Sequence, residues 1–113
     1  MSCLFCSILV GEIPATIVFQ NDELLAFRDI NPQAPTHVLV IPRAHRENPG
    51  ELTAEDEALM GRVIRAAADI ARQEGIAESG YRLVVNAGPD ANQTVPHIHV
   101  HVLGGRAMSW PPG

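Results

Sequence analysis

Three histidines alternate with apolar residues in the stretch PHIHVHVLGG, residues 96–105. In a β-strand, alternate side chains point to the same face and lie roughly 6.5–7 Å apart. The spacing therefore predicts that His97, His99 and His101 share one face, while the residues between them face the core. Three interpretations follow: an exposed polar face, a metal site built on a His-x-His pair, or nucleophilic catalysis by one imidazole while its neighbours donate hydrogen bonds to a phosphate.

A second group of reactive side chains, Cys3 and Cys6, forms a C-x-x-C pair. Two thiolates at this spacing are common in structural zinc sites. The same pair also fits two small buried hydrophobic side chains, or a redox motif. A redox motif would need a strand followed by a helix. The sequence around Cys3 and Cys6 shows no pattern of a strand followed by a helix. The two cysteines are too close in sequence to staple the fold as a disulfide scaffold.

The composition bounds the class of protein. A chain of 113 residues predicts a single domain over 1–113, small enough to be a candidate for oligomerisation. The formal net charge of -5 argues against charge-driven binding to a nucleic acid polymer. No apolar run reaches the roughly 18 residues of a membrane span and no signal-peptide pattern is present, so we expect a cytoplasmic protein without a membrane partner.

The elements that must position these side chains follow from residue periodicity. A capping pattern at Thr53 and Asp56 begins a run of apolar residues at helical spacing, and Gly75 ends it, which predicts one helix of about twenty residues. Antiparallel strands and one main helix predict an α+β fold in which the helix covers one face of the sheet. Short β-prone runs bounded by turn residues predict the strands, at 16–20, 24–28, 37–41, 81–86 and 97–103.

Beyond these patterns, the sequence resembles the histidine triad superfamily, and within it the Hint branch of purine nucleoside phosphoramidases. The resemblance is carried by the alternating histidines at 97–103, by FRDINPQAPTHVLVIPRAH (27–45), by IPA (13–15) and by the segment 80–113, which ends in WPPG. It implies a HIT-like fold with an antiparallel five-stranded sheet and one main helix. It also implies a two-fold homodimer whose sheet continues across the interface.

The activity implied by the resemblance is hydrolysis of purine nucleoside 5′-phosphoramidates and of acyl- or aminoacyl-adenylates, through a covalent nucleotidyl-histidine. His99 is then the nucleophile, oriented by a backbone carbonyl, and His101 donates to the phosphate. His37 resembles the family's fourth active-site histidine. Imidazole suits this role because its pKa near 6.5 leaves much of it neutral and nucleophilic at pH 7.

The resemblance also implies a pocket for the nucleotide. Asp29 corresponds to the acid that binds the ribose hydroxyls, and Thr94 keeps a hydroxyl where many relatives carry serine. Asn92 stands where glycine is common, and asparagine tolerates a left-handed backbone better than most residues. The expected base cleft is lined by Leu4, Phe5, Phe27, Ile30 and Leu39, and the expected phosphate-side donors are Asn86, Gln93 and Thr94.

Two further features take their meaning from the resemblance. The cysteine pair, His45 and His97 correspond to four ligands of a structural zinc, with no catalytic cofactor. Trp110, the single tryptophan, is expected near the leaving-group side of the other subunit's active site. Three rival functions stay open: a nucleotide-binding regulatory module, a hydrolase with a metal on His97 and His99, and a dinucleoside polyphosphate hydrolase.

Overall fold

The computed structural model describes residues 3–113 and contains two helices and five strands. Short 3₁₀ turns at Pro49–Glu51, Ala54–Asp56 and Pro89–Ala91 connect some of these elements. In chain order the elements are α1 (Leu4–Leu9), β1 (Ile17–Gln20), β2 (Leu24–Arg28), β3 (Thr36–Pro42), α2 (Glu57–Gln73), β4 (Tyr81–Val84) and β5 (Val100–Gly104).

The five strands form one antiparallel sheet in the order β1-β2-β3-β5-β4. The α+β architecture expected from the sequence is therefore confirmed. The central strand β3 pairs with β2 on one side and with β5 on the other, and Leu39 lies opposite both Phe27 and His101. This register brings the third histidine of the triad to the middle of the sheet.

Residues of the central strands alternate between two apolar clusters on opposite faces of the sheet. We call them the helix face and the site face. Helix α2 packs on the helix face, against β3 and β5, as the sequence predicted. The helix face includes Val38, Val40, Val63, Ile70, Val100 and Val102; the site face includes Cys3, Phe5, Leu25, Phe27, Leu39 and Ile41.

The predicted capping signal at the start of α2 is confirmed. The backbone N–H of Thr53 donates to Oδ2 of Asp56 at 3.0 Å, and a 3₁₀ turn leads into the helix. Asp56 also pairs with Arg46 at 3.2 Å, and both interactions hold the pKa of its carboxyl below the ordinary value. Beyond the helix, Gly75 adopts a φ of +76° that non-glycine residues rarely accept.

Strand β5 begins three residues later than predicted, so His97 and His99 precede it. Pro96 has no N–H to give to a neighbouring strand. The N–H of Ile98 donates to the carbonyl of Arg46 at 2.6 Å, so the backbone here bonds to a loop instead of β3. Strand β4 also stops early, at Val84, which leaves 85–86 outside it.

Helix α1 is absent from the sequence-based prediction. Six residues are too few to show a helical period, and its N-cap is an unusual one. Sγ of Cys3 accepts from the N–H of Cys6 at 3.4 Å. Within residues 3–113, no helix has both the length and the apolar character needed to cross a bilayer.

Candidate active site and metal centre

His99 has a single defined tautomer. Its Nδ1 lies 2.7 Å from the carbonyl oxygen of His97, so Nδ1 carries the proton and donates it. Nε2 is then left with its lone pair, and the ring lines a cavity. Burial lowers the pKa of His99, against smaller opposing effects of the bond to His97 and the charge of Asp29. The arrangement holds a neutral imidazole with one nucleophilic nitrogen.

A chain of hydrogen bonds fixes the proton on His101. The backbone N–H of Gln33 donates to Nδ1 of His37 at 3.0 Å, so the His37 proton must be on Nε2. That Nε2–H donates to Nδ1 of His101 at 2.9 Å. His101 therefore carries its proton on Nε2, which is buried and has no partner within the described chain. A donor aimed into a cavity without an acceptor is suited to a ligand oxygen.

The electrostatic surroundings keep this pair of histidines neutral. Burial, followed by the neighbouring His99 and His37, lowers the pKa of His101 to about 4. Burial also lowers the pKa of His37, although Oδ2 of Asp29 lies 3.5 Å from its Nε2 and acts in the opposite direction. At pH 7 both rings are therefore neutral donors and acceptors.

The cavity in front of the histidines measures about 290 Å³. Phe5 forms its base by packing edge-on against Phe27, at 5.4 Å between ring centres, and against His99, at 5.0 Å. Nine residues that the sequence analysis singled out lie together around it: Leu4, Phe5, Phe27, Asp29, Ile30, Leu39, Thr94, His99 and His101. Their roles toward a ligand stay predictions.

Several lining residues were missed from the sequence. Ile8 lies one turn beyond Leu4 on the unpredicted helix α1, and the segment 13–15 closes the same side. Arg28 lies at the rim, where Glu74 holds its guanidinium through bonds of 2.9 and 3.0 Å. Val95 completes the set. Leu4 and Ile8 are a single i, i+4 pair, which is too short a pattern to predict a helix.

Three of the predicted substrate-binding residues lie outside this lining. The side chain of Gln93 is engaged in its own loop, where Oε1 accepts from the N–H of Gly88 at 2.9 Å and Nε2 donates to the Val95 carbonyl at 3.0 Å. Asn86 does not line the cavity, and Trp110 is 82% exposed. The expected left-handed conformation of Asn92 is present, with φ of +64°.

The four predicted zinc ligands, Cys3, Cys6, His45 and His97, converge on one point. Nδ1 of His97 lies 3.5 Å from Sγ of Cys3 and 3.6 Å from Sγ of Cys6. Nδ1 of His45 lies 3.4 Å from Sγ of Cys6 and 3.1 Å from Nδ1 of His97. We call this group the Cys₂His₂ cluster.

These spacings match the edges of a tetrahedral zinc site. With Zn–S of about 2.3 Å and Zn–N of about 2.0–2.1 Å, sulfur–nitrogen edges are about 3.5 Å and nitrogen–nitrogen edges about 3.3 Å. His97 is fully buried, and its Nε2–H donates to the Pro42 carbonyl at 2.8 Å, which leaves Nδ1 free to bind a metal. The residues present therefore fit a structural zinc. A redox motif needs a strand followed by a helix, and α1 supplies only the helix. Both thiols face imidazole nitrogens, which favours a metal site over a redox pair.

Comparison with known proteins agrees with this geometry. Residues 10–108 match the family model described as HIT domain. The purine nucleoside phosphoramidase of Escherichia coli K12 is 51% identical over 93% of this chain and 88% of its own. A 14 kDa zinc-binding protein of Zea mays is 50% identical over 97% of this chain and 87% of its own.

Among solved structures, the crystal structure of a HIT family hydrolase from Legionella pneumophila Philadelphia 1 superposes with a TM-score of 0.97. It is 51% identical, and the match covers 99% of this chain and all of that one. The similarity to a protein named a phosphoramidase also supports the Hint branch suggested by the sequence. The chain belongs to the histidine triad (HIT) family.

Proposed function

We propose that this protein hydrolyses purine nucleoside 5′-phosphoramidates and acyl- or aminoacyl-adenylates through a nucleotidyl intermediate on His99. One observation carries the proposal: the nucleophilic Nε2 of His99 and the unpartnered Nε2–H of His101 belong to rings 4.9 Å apart, at one cavity. A nucleophile beside a donor of fixed tautomer is what attack on a phosphate requires. The names of the relatives support the substrate class.

The reaction takes two displacement steps. In the first, the lone pair of His99 Nε2 attacks the α-phosphorus and an N–P bond forms, while the P–N bond to the leaving amine, or the P–O bond to the leaving carboxylate, breaks. A departing amine takes up a proton from solvent, and the Thr94 hydroxyl at the cavity wall is suited to relay it. In the second, water attacks phosphorus and releases a proton to solvent, the His99–phosphorus bond breaks with its electron pair returning to Nε2, and the nucleoside monophosphate leaves. The N–H of His101 donates to a non-bridging oxygen in both steps.

The rest of the cavity suits the nucleoside. Asp29 lies at its edge, with Oδ1 accepting from the N–H of Asn31 at 2.8 Å, so the carboxylate is held in place to accept from the ribose hydroxyls. The side chains of Leu4, Phe5 and Ile8 form an apolar wall for a flat purine ring. Binding therefore relies on shape and a few polar contacts.

The Cys₂His₂ cluster is proposed to hold a structural zinc, which would tie α1 to the loop before β5. Bound zinc would supply a fixed crosslink between these segments. The name of the maize relative supports this assignment. Metal analysis of protein purified without an affinity tag should find about one zinc per chain, and a much lower content would contradict the proposal.

We also propose the two-fold homodimer. Strand β4 is an edge of the sheet in the described chain, and all four of its residues are only half-buried. Exposed backbone at a sheet edge can pair with a second strand. The guanidinium of Arg82 on β4 donates to the Ser109 carbonyl at 2.9 Å, which places the Trp110 segment beside this edge.

Two rival functions can be separated from the proposal. A catalytic metal shared by His97 and His99 is disfavoured, because Nδ1 of His97 faces the cysteines and its Nε2 bonds to Pro42. A regulatory nucleotide-binding module, in which hydrolysis is incidental, would bind purine nucleotides tightly and turn substrates over too slowly to matter.

The deciding experiment is a rapid quench of the protein with adenosine phosphoramidate, followed by mass spectrometry of its peptides. We expect an adenylyl group on the peptide that contains His99, and none with the His99→Ala variant. Tight AMP binding without adduct or turnover would contradict the enzymatic proposal and favour the regulatory module.

A further inference from the structure

Helix α1 contributes to two sites at once. Its N-cap residue Cys3 and its first-turn residue Cys6 belong to the Cys₂His₂ cluster. Leu4, Phe5 and Ile8, on the same short helix, line the cavity. The two sites therefore share one helix that is only six residues long.

A helix of this length is not stable by itself, so its position depends on tertiary contacts. Phe5 packs on the site face, and the Ser7 carbonyl accepts bonds only from the turn that follows, at Glu12 and Ile13. Within residues 3–113, the side-chain hydrogen bonds that connect α1 and its cap to the rest of the protein all come from Cys3 and Cys6. At present these sulfurs make only weak contacts with the rings of His45 and His97. A bound metal would replace those contacts with coordinate bonds to the same side chains.

We infer that occupancy of the Cys₂His₂ cluster controls the affinity of the cavity for nucleotide, by holding α1 in place as the cavity wall. This inference rests on the proposed function, since it requires both the metal and the nucleotide. If the metal is lost, a nucleotide must order α1 when it binds, and that ordering weakens its affinity. With the metal bound, the wall is already formed.

The coupling must be reciprocal, because it is an equilibrium between two binding events. If zinc strengthens AMP binding by a given factor, AMP strengthens zinc binding by the same factor. We expect this factor to be about tenfold, within the usual range for coupled sites.

The experiment measures AMP binding calorimetrically to the metal-free protein and to the protein carrying one equivalent of zinc, after removal of free metal. One equivalent is used because Asp29, His37 and His101 form a second group of potential ligands inside the cavity. Zinc affinity is measured by competition with a chelator, with and without AMP. Hydrogen exchange of the amides of 5–10 follows α1 directly.

Two variants serve as a matched pair on the same helix. Cys6→Ser removes one ligand and should bind AMP as weakly as the metal-free protein, whether or not zinc is added. Ser7→Ala changes the neighbouring residue, which is in neither the cluster nor the cavity lining. It should keep the full coupling between zinc and AMP.

The possible outcomes distinguish a failure of the coupling between zinc and AMP from a failure of the proposed function. Tighter AMP binding with zinc, an equal reciprocal factor and faster exchange confined to α1 in the metal-free protein would support the inference. Equal AMP affinity with and without bound zinc would overturn it and leave the proposed function intact. Faster exchange throughout β3 and β5 would also overturn it, because the metal would then stabilise the whole fold. No binding of AMP to either form would refute the proposed function itself.

Discussion

The carbonyl oxygen of His97 lies 2.7 Å from Nδ1 of His99, while the ring of His97 reaches the two cysteines. One residue thus belongs to the candidate metal centre through its side chain and to the candidate active site through its backbone. The first histidine of the triad therefore orients the second without lining the cavity. This explains why three similar residues at regular spacing have three different surroundings.

The His99→Ala variant should lose turnover on adenosine phosphoramidate. Removing a nucleophile that forms a covalent intermediate lowers kcat by about 10⁴-fold or more. The variant should still bind AMP, because the apolar wall and Asp29 are unchanged. Steady-state kinetics with a binding measurement checks both statements. An alanine variant with most of its activity would exclude His99 as the nucleophile.

The backbone N–H of Gln33 should matter for catalysis although its side chain should not. Gln33→Pro removes the donor that sets the tautomer of His37, and through it the proton on His101. We expect kcat to fall about tenfold or more, with a smaller change in KM. Nitrogen chemical shifts of the two rings should report a mixture of tautomers.

The matched control is Gln33→Ala, which keeps the backbone donor and should retain kcat within about threefold of the wild type. Thermal unfolding must show that both variants fold. If the proline variant folds and keeps its kcat and its histidine tautomers, the hydrogen-bond chain does not govern catalysis.

Stability should decrease as the pH falls below the ordinary histidine range. Folding lowers the pKa of His101 from 6.5 to about 4, so the unfolded chain binds more protons than the folded one between these values. The free energy of unfolding therefore decreases as the pH is lowered from 6.5 to 4. One histidine can contribute at most about 1.4 kcal/mol per pH unit.

Urea unfolding at several pH values measures this slope. A His101→Gln variant should show a shallower dependence, because it lacks the titrating ring. A stability that is flat, or that rises as the pH falls from 6.5 to 4, would contradict the buried neutral state of His101.

Two glycine-to-alanine substitutions should change stability in opposite directions. A Cβ on Gly104 would lie 2.5 Å from Cδ1 of Ile76, so Gly104→Ala should destabilise by about 1–3 kcal/mol. Gly61 lies inside α2 with open space around it, so Gly61→Ala should stabilise by up to about 1 kcal/mol. Chemical denaturation compares the two. Unchanged or higher stability of Gly104→Ala would contradict the close packing of Gly104 on Ile76, and lower stability of Gly61→Ala would contradict the open space around Gly61.

Deletion of 109–113 should alter kinetics more than folding. Trp110 is highly exposed in the single chain, so the fold gains little from it. In the proposed dimer it lies near the partner's leaving group, so kcat/KM and the preference among leaving groups should change. Kinetics with several leaving groups, and light scattering for the oligomeric state, provide the test. Unchanged kinetics, or a monomer at micromolar concentration, would contradict this arrangement.

The parts of the fold with a clear residue period could be predicted from the sequence, and the short or irregular parts could not. Thr53 and Gly75 mark the helix with ordinary capping signals, and alternation placed the triad on the correct face. Helix α1 went unpredicted because one and a half turns carry no period. The start of β5 was misplaced because the partner of Ile98, the Arg46 carbonyl, lies 52 positions away in sequence.

The candidate site also has a part that could be predicted from the sequence and a part that could not. The side chains around the cavity could be expected from the resemblance, since residue types carry that signal. The role of Gln33 could not, because it acts through a backbone N–H that every residue but proline possesses. The contact of Arg28 with Glu74 joins residues from two distant elements, and only the folded chain brings them together.

The alternation of the central strands gives adjacent positions opposite uses in protein engineering. Val38 belongs to the apolar cluster under α2, whereas Leu39 borders the cavity. A library directed at Leu39, Phe27 and Leu4 would explore new base preferences without disturbing the packing of α2. A library directed at Val38, Val63 and Val102 would raise or lower heat resistance while the reacting groups stay in place. Ligand selectivity and thermal stability of this small protein can thus be engineered through separate sets of residues.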